Sequence, residues 1–406
     1  MFWSALAFLL ISRLALILSL EVVPSSDMSW YYARAMELLA TGRYAENGVP
    51  TAYWPIGYPA FLAASMASFG HKVLVGQLAN LALSALCLVV LHRFCMDRFG
   101  DRRLAGVAVV LLAIYPNHMG YSVGLYSEPL FTLLLLVLVT FTRPGAGFGR
   151  FALMGVLVGL ATLVKTQMLL LGPMLLFLLG LRDWSAQAVI SSAYRAVFAA
   201  LFMALTILPW TFRNQIVLGA PVLVSTNGGM SLLSGNNPSM TPSLDHDFND
   251  DDPLFKAVNF SVADQVAADQ RAKVAAFGWI VDNPGKFITL MPKKVFRLWA
   301  PDGESEWLYQ AGYSNYEQKK IWFRAVRVVN QLFYFLLLAG FGYAVTRCMV
   351  LRDPATLVVP VTMLFFTALS MVFSGQSRYH APLMPFVIAY AAFTCVNFPR
   401  FRKVKI

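Results

Sequence analysis

Charge is scarce in this chain: only 13% of its 406 residues are Asp, Glu, Lys or Arg, while 58% are hydrophobic. Ordinary soluble domains carry about 25% charged and roughly 45–50% apolar residues. A soluble fold of this length would lack the polar surface to cover itself, so lipid must be the solvent for much of it. The mean hydropathy of +0.61 agrees. Cysteine is nearly missing too. Cys87, Cys95, Cys348 and Cys395 all lie in or beside apolar runs, and none falls in the polar stretch from Arg213 to Arg324. That excludes a disulfide framework and leaves them as small hydrophobes.

Histidine is equally sparse, and no His/Cys/Asp spacing matches a zinc or calcium site. The acidic run Asp245–Asp252 lacks the glycine and terminal Glu of a calcium loop, so it reads as a solvated loop. Acidic residues are outnumbered 21 to 32 by Lys and Arg, a net charge of +11. The basic residues cluster in short loops and in a tail carrying Arg400, Arg402, Lys403 and Lys405, which is an orientation signal rather than a nucleic-acid footprint. No nucleic-acid partner is expected. Nor is there a repeat at a fixed period or a low-complexity tract.

What is present is a series of apolar runs, about ten of them, long enough to cross a hydrocarbon core about 30 Å thick. They fall near 2–20, 73–95, 104–118, 127–142, 151–165, 167–181, 196–212, 326–346, 355–373 and 381–397. The expected fold is therefore an all-α polytopic membrane protein of about ten transmembrane helices. No small-residue cleavage site follows the first run, so it is expected to be a span rather than a signal peptide. With the N-terminus cytoplasmic, the inside loops carry Arg98, Arg102 and Arg103, then Arg143 and Arg150, Arg182 and Arg195, Arg347 and Arg352, and the basic tail. The positive-inside rule thus places both termini in the cytoplasm. The long segments 21–71 and 213–325 then lie outside.

This divides the chain into 1–212, a transmembrane domain containing the outside loop 21–71, an outside region 213–325 with surface helices, and 326–406 with the last spans and tail. Ser29–Thr41 is predicted as an amphipathic helix on the membrane surface, capped by Ser26 or Asp27 and ended by Gly42. Val262–Val281 and Phe287–Trp299 are predicted as further helices. Asn227, Gly228, Gly229, Asn236 and Asn237 read as a turn-rich loop able to close over a site. Arg13, in the middle of the first span, needs a protein partner or a polar cavity.

Several motifs occur in order along nearly the whole chain: Asp27 with Tyr31-Tyr32 and Gly42-Arg43-Tyr44, Tyr53-Trp54-Pro55, Ser127-Glu128-Pro129, Gly159–Lys165, Pro209-Trp210-Thr211-Phe212-Arg213-Asn214, Gly235-Asn236-Asn237-Pro238, and Arg378-Tyr379-His380-Ala381-Pro382. In this the chain resembles the GT-C superfamily, specifically its dolichyl-phosphate-mannose–protein mannosyltransferase-like branch, whose relatives include lipid A aminoarabinose transferases. The resemblance implies a glycosyltransferase with a polyprenyl-phosphate sugar donor, inversion at the sugar carbon, and a catalytic face outside the cytoplasm. With the basic tail it implies a bacterial inner membrane. Departures are a lone Asp27 preceded by Ser25-Ser26, and Ala52-Tyr53-Trp54-Pro55 where relatives often carry Lys-Pro-Pro. The acceptor, whether glycan, lipid or protein, is therefore not implied.

Sugar transfer from a phosphate-linked donor needs a base for the acceptor's proton, cations for the leaving phosphate, and exclusion of water. Asp27 is the candidate base. Arg378, Lys165 and Lys293 are candidates for the lipid phosphate, Arg378 through its bidentate fork. Lys294 and Arg297 share the helix of Lys293, where a solvated or lipid-facing basic face competes with that role. Glu128, Tyr53, Trp54, Tyr379, His380 and Asn227 are candidates for substrate contact. Glu128 with Asp27 is also a candidate pair for a divalent metal; no other cofactor is expected. A transporter or flippase would place charges at the midplane of repeated halves. A non-catalytic assembly protein would tolerate Asp27→Asn.

Overall fold

In the computed structural model, residues 1–238, 253–303, 305–348 and 354–401 are described; the acidic run 245–252, Arg352 and the tail from 402 lie outside them. Every expected apolar run is helical. In chain order come α1 (Phe2–Ser19), α2 (Ser26–Thr41), the strands β1 (Ala45–Glu46) and β2 (Val49–Pro50), α3 (Gly57–Phe69), α4 (Val73–Phe99), α5 (Arg102–Ile114), α6 (Pro116–Val123) and α7 (Glu128–Phe141). Then follow α8 (Phe148–Val164), α9 (Met168–Gly180), α10 (Ala186–Leu218), α11 (Gly228–Gly235), α12 (Pro253–Val258), α13 (Gln265–Asp282), α14 (Pro284–Trp299), α15 (Glu306–Gly312), α16 (Tyr316–Cys348) and α17 (Pro354–Val372). Two 3-10 turns, Ser377–Tyr379 and Ala381–Leu383, lead into α18 (Met384–Phe401).

Among the described residues, α1, α4, α10, α16 and the segment Ser377–Asn397 are long and apolar enough to cross a membrane unaided. Helices α7, α8, α9 and the apolar part of α17 are shorter. The expected run 104–118 is broken: α5 and α6 meet at 59°. Pro116 sits at the start of α6, where its ring and missing N–H cannot continue α5. That bend receives Arg13, which is fully buried. Its guanidinium donates to the Ala113 carbonyl at the end of α5, to Ser12 Oγ at 3.1 Å, and reaches His118 Nδ1 at 3.4 Å. A cation at a helix C-terminus complements the helix dipole, which supplies the partner the sequence left open.

In the bundle, α8 lies against α10. Gly155 and Gly159 make this approach achievable, since a Cβ on Gly155 would stand 2.1 Å from the Ala199 carbonyl oxygen. Such small-residue spacing is the usual basis of close helix contact in lipid. The segment 21–71 holds α2, which ends at Gly42 as expected but begins at Ser26 with Ser25 at the cap position and no side-chain cap bond. Asp27 therefore lies in the first turn and is not the cap. Beyond α2, Asn47-Gly48 makes a two-residue hairpin turn with φ of 52° and 82°, pairing Ala45 with Pro50.

Candidate active site

A cavity of about 1630 Å³ opens between the α2–α3 loop, the α8–α9 connection, the end of α10, α11, α13 and the 3-10 turn at Ser377–Tyr379. Its lining includes the apolar side chains Leu169, Leu170, Val217, Phe365, Phe366 and Leu369. It also includes the polar and aromatic side chains Tyr53, Trp54, Lys165, Asn227, Arg378 and Tyr379. Six of the residues singled out from sequence thus converge on one space.

Asp27 joins them through Arg378, whose Nη1 donates to Asp27 Oδ2 across 351 positions of chain. Ser26, immediately before it, carries φ of 49°, a conformation uncommon outside glycine. A second ion pair mirrors the first: Lys165 Nζ lies 3.0 Å from Glu128 Oε1. Glu128 is the first residue of α7 and buried, so its charge also faces a helix N-terminus. Tyr31 hydroxyl lies 3.4 Å from Ser127 Oγ, which in turn lies 3.5 Å from Glu128 Oε2, tying this pair to α2. Asp27 and Glu128, the candidate pair for a divalent metal, are each engaged with a separate cation. Among the described residues, no three His, Cys, Asp or Glu side chains converge as a metal cluster.

The aromatic wall is rigid. Tyr44 hydroxyl donates to the Trp54 carbonyl at 3.1 Å, and Trp54 lies edge-on to Tyr31 and Tyr53 with ring centres 6.2 and 5.9 Å away. Two side chains of the region 213–325 hold this loop. Arg213 donates to the carbonyls of Thr51 (2.8 Å) and Tyr44 (2.5 Å). Gln265 Oε1 accepts from the Ala52 N–H at 2.8 Å, while its Nε2 donates to the Pro50 carbonyl at 3.0 Å. Burial, then the nearby charges of Asp27, Asp269 and Glu46, push the Tyr53 phenol up to about 12. It therefore stays a neutral hydrogen-bonding group at physiological pH.

Other expectations are redirected. Lys293 does not line the cavity. Helical spacing turns Leu290, Lys294 and Leu298 inward on α14 and leaves Lys293 about 100° off that face. Lys294 is fully buried, and burial pulls its ammonium down to about 8. Its Nζ donates to Asn236 Oδ1 at 2.9 Å and reaches the Met371 and Val372 carbonyls that end α17. The glycine-rich segment expected to be a loop is helix α11, pressed onto its neighbours. A Cβ on Gly229 would lie 2.1 Å from the Asp269 carbonyl oxygen, and one on Gly235 would lie 1.8 Å from that of Phe373.

His380 is fully buried and does not line the cavity. It stacks between Trp299 and Tyr334, with ring centres 5.6 and 4.9 Å away, and lies 2.9 Å from Asp302 Oδ1. The Asp302 carboxylate also accepts from Tyr115 hydroxyl (2.6 Å), Asn117 Nδ2 (2.5 Å) and Asn330 Nδ2 (2.9 Å). Ser377 Oγ donates to the Gly303 carbonyl at 2.8 Å. The turn that carries Arg378 is thus latched on both sides to the segment after α14. Sequence reasoning missed Asp302, Gln265 and Asp269, because each is tied by at least one contact to a segment distant in the chain.

Comparison with known proteins bears on this architecture. The chain superposes along its whole length on the oligosaccharyltransferase AglB from Archaeoglobus fulgidus in complex with an inhibitory peptide and a dolichol-phosphate, with a TM-score of 0.55, 13% identity and 52% of that chain covered. A second structure of the Archaeoglobus fulgidus oligosaccharyltransferase, in complex with Zn and sulfate, gives a TM-score of 0.53 at 13% identity over 98% of this chain and 50% of that one. ArnT from Cupriavidus metallidurans bound to undecaprenyl phosphate gives 0.44 at 14% identity, over 98% and 77%. The chain spans about half the length of the oligosaccharyltransferase. No curated protein sequence matches it significantly. The fold is the one seen in these Archaeoglobus fulgidus oligosaccharyltransferase structures, here an all-α architecture with several helices long and apolar enough to cross a membrane. Within it, residues 54–210 match the family described as dolichyl-phosphate-mannose-protein mannosyltransferase.

Proposed function

We propose that the protein is a glycosyltransferase that moves a sugar from a polyprenyl-phosphate donor to an acceptor on the extracytoplasmic face of a bacterial inner membrane. The observation that carries this reading is one cavity lined by both apolar side chains and two cations, Lys165 and Arg378, each held by its own carboxylate. A polyprenyl chain suits the first and its phosphate the second. AglB, which shares the fold, was solved with a dolichol-phosphate.

In the proposed reaction the acceptor oxygen attacks the sugar's C1 from the face opposite the phosphate. The new C1–O bond forms as the C1–O bond to phosphate breaks, and the electron pair leaves on the polyprenyl phosphate. Lys165 and Arg378 stabilise the charge that grows there. The proton of the acceptor passes to Asp27. The ion pair gives this step an order: phosphate competes with Asp27 for Arg378, and engagement of Arg378 by phosphate leaves a carboxylate oxygen open to the acceptor.

The test is donor consumption by purified protein in nanodiscs, with a panel of radiolabelled polyprenyl-phosphate sugars and membrane extract as acceptor source. Wild type is expected to consume a donor, Asp27→Asn to lose about 10²- to 10⁴-fold in turnover, and Arg378→Ala to lose donor affinity. Undiminished consumption by Asp27→Asn would remove Asp27 as the base. Failure of wild type with every donor and extract would overturn the enzyme reading.

A further inference from the structure

The cavity wall contains a third ion pair that the reaction above does not use. Asp269 and Lys273 stand one turn apart on α13, and both line the cavity. Lys273 Nζ lies 2.5 Å from Asp269 Oδ2, while Asp269 Oδ1 accepts from the Gly229 N–H at 2.5 Å. The close approach of α11 at Gly229 clamps this carboxylate, whose side chain is 10% exposed; that of Lys273 is 42% exposed. The pair is therefore a preorganised acceptor beside a donor that is free to adjust.

Its position follows from the rest of the site. The phosphate is assigned to Lys165 and Arg378, and the sugar must lie beside it with C1 near Asp27. Thr166, next to Lys165, lies 3.3 Å from Ser225 Oγ, which donates to Asn227 Oδ1 at 2.8 Å, and two residues on the Gly229 N–H bonds Asp269; Tyr53 lines the same cavity. The path from the Lys165 cation through Asn227 and α11 thus leads to Asp269 and Lys273. We infer that Asp269 and Lys273, with Tyr53 and Asn227, form the subsite for the transferred sugar, and that it takes a neutral sugar with adjacent free hydroxyls. This inference rests on the reading of the cavity as a polyprenyl-phosphate-sugar site.

The chemistry selects that class. The carboxylate and ammonium together have no net charge, and they present an acceptor next to donors. Two neighbouring hydroxyls present the complementary donor and acceptor. An acidic sugar would bring its charge against Asp269, and a deoxy sugar would leave one member of the pair without its new partner, a loss that polar sites penalise strongly.

The test compares binding of bare polyprenyl phosphate and its neutral hexosyl derivative to the full chain in nanodiscs, followed by quenching of tryptophan fluorescence. The 2-deoxyhexosyl lipid serves as a third ligand. Wild type should prefer the hexosyl lipid over the bare one by about 10-fold or more, the order expected of a charge-assisted hydrogen bond. Lys273→Met and Asp269→Asn should lose that preference and keep their affinity for bare polyprenyl phosphate. Lys273→Met is the safer variant because the side chain is partly exposed and the Gly229 bond is untouched. Retention of the preference by Lys273→Met overturns the subsite while leaving the donor-cavity reading intact. Failure of wild type to bind any of the three lipids overturns both.

Discussion

Each cation on the cavity wall is matched by a carboxylate, and this matching sets what single substitutions do. A lone buried cation would be costly; paired with Asp27 or Glu128, Arg378 and Lys165 can wait in place for a competing anion. Lys294 is the contrast. It is buried against neutral carbonyls and an amide, and its lowered titration point makes it a stability element with a definite sign. The folded protein releases the Lys294 proton near pH 8, whereas the unfolded chain holds it to about 10.5. Between those values the unfolded state binds more protons, so the stability contribution rises with pH. Thermal unfolding of wild type and Lys294→Met in the same detergent should show it. The wild-type midpoint is expected to rise relative to the variant from pH 8 to 10.5, with a constant difference below pH 7. A pH-independent difference would contradict the assignment.

Short elements carry the site, and they are held by contacts made at very small distances. Helix α11 fits between α13 and the end of α17 because Gly229 and Gly235 lack side chains. Gly235→Ala must push a methyl into the Phe373 carbonyl, and overpacking of this kind costs about 1–3 kcal/mol. A lower unfolding midpoint is the expected result, checked by a thermal scan in detergent. The turn bearing Arg378 depends likewise on Asp302, whose carboxylate joins the α5–α6 bend, α16 and His380. Asp302→Asn preserves size but turns one acceptor into a donor facing donors. Small misplacements of a positioning group can cost about 10²-fold. The expected signature is a raised KM for donor with a smaller change in kcat, measured by steady-state donor consumption.

At the scale of the whole molecule, the arrangement proposed here gives the two sides of the membrane different contents. In that proposal the cavity, α13 and α14 face outside, and the arginine-bearing turns face the cytoplasm. Cysteine placed at exposed Ser261 in a cysteine-free background should react with a membrane-impermeant maleimide on intact cells. Cysteine at exposed Gly147 should react only after permeabilisation. Reversed labelling would invert the topology and move the reaction to the cytoplasmic side.

Much of this was legible from local pattern. Apolar runs marked every described helix that is long and apolar enough to cross a membrane, because a span must be continuous in sequence, whereas several of the other expected spans are shorter helices. Gly42 ended α2, and Asn283-Pro284 separated α13 from α14. The hairpin at Asn47-Gly48 was not among the expectations, although its turn chemistry is of the hairpin type, because the pattern is too short to stand out beside the spans. Asp27, Lys165 and Arg378 stood out as charges at membrane boundaries. What only the tertiary structure decided was who meets whom. Arg378 reaches Asp27 across nearly the full chain, Arg13 finds the end of α5, and His380 turns inward to Asp302 instead of toward the cavity. Lys293 and Lys294 are adjacent in sequence, yet one is buried and the other is not, because the packing of α14 selects a face. Periodicity and hydropathy are properties of neighbouring residues, and a sequence displays them directly. Ion pairs, close backbone contacts and cavities arise between segments far apart in the chain, so they exist only once the helices have packed.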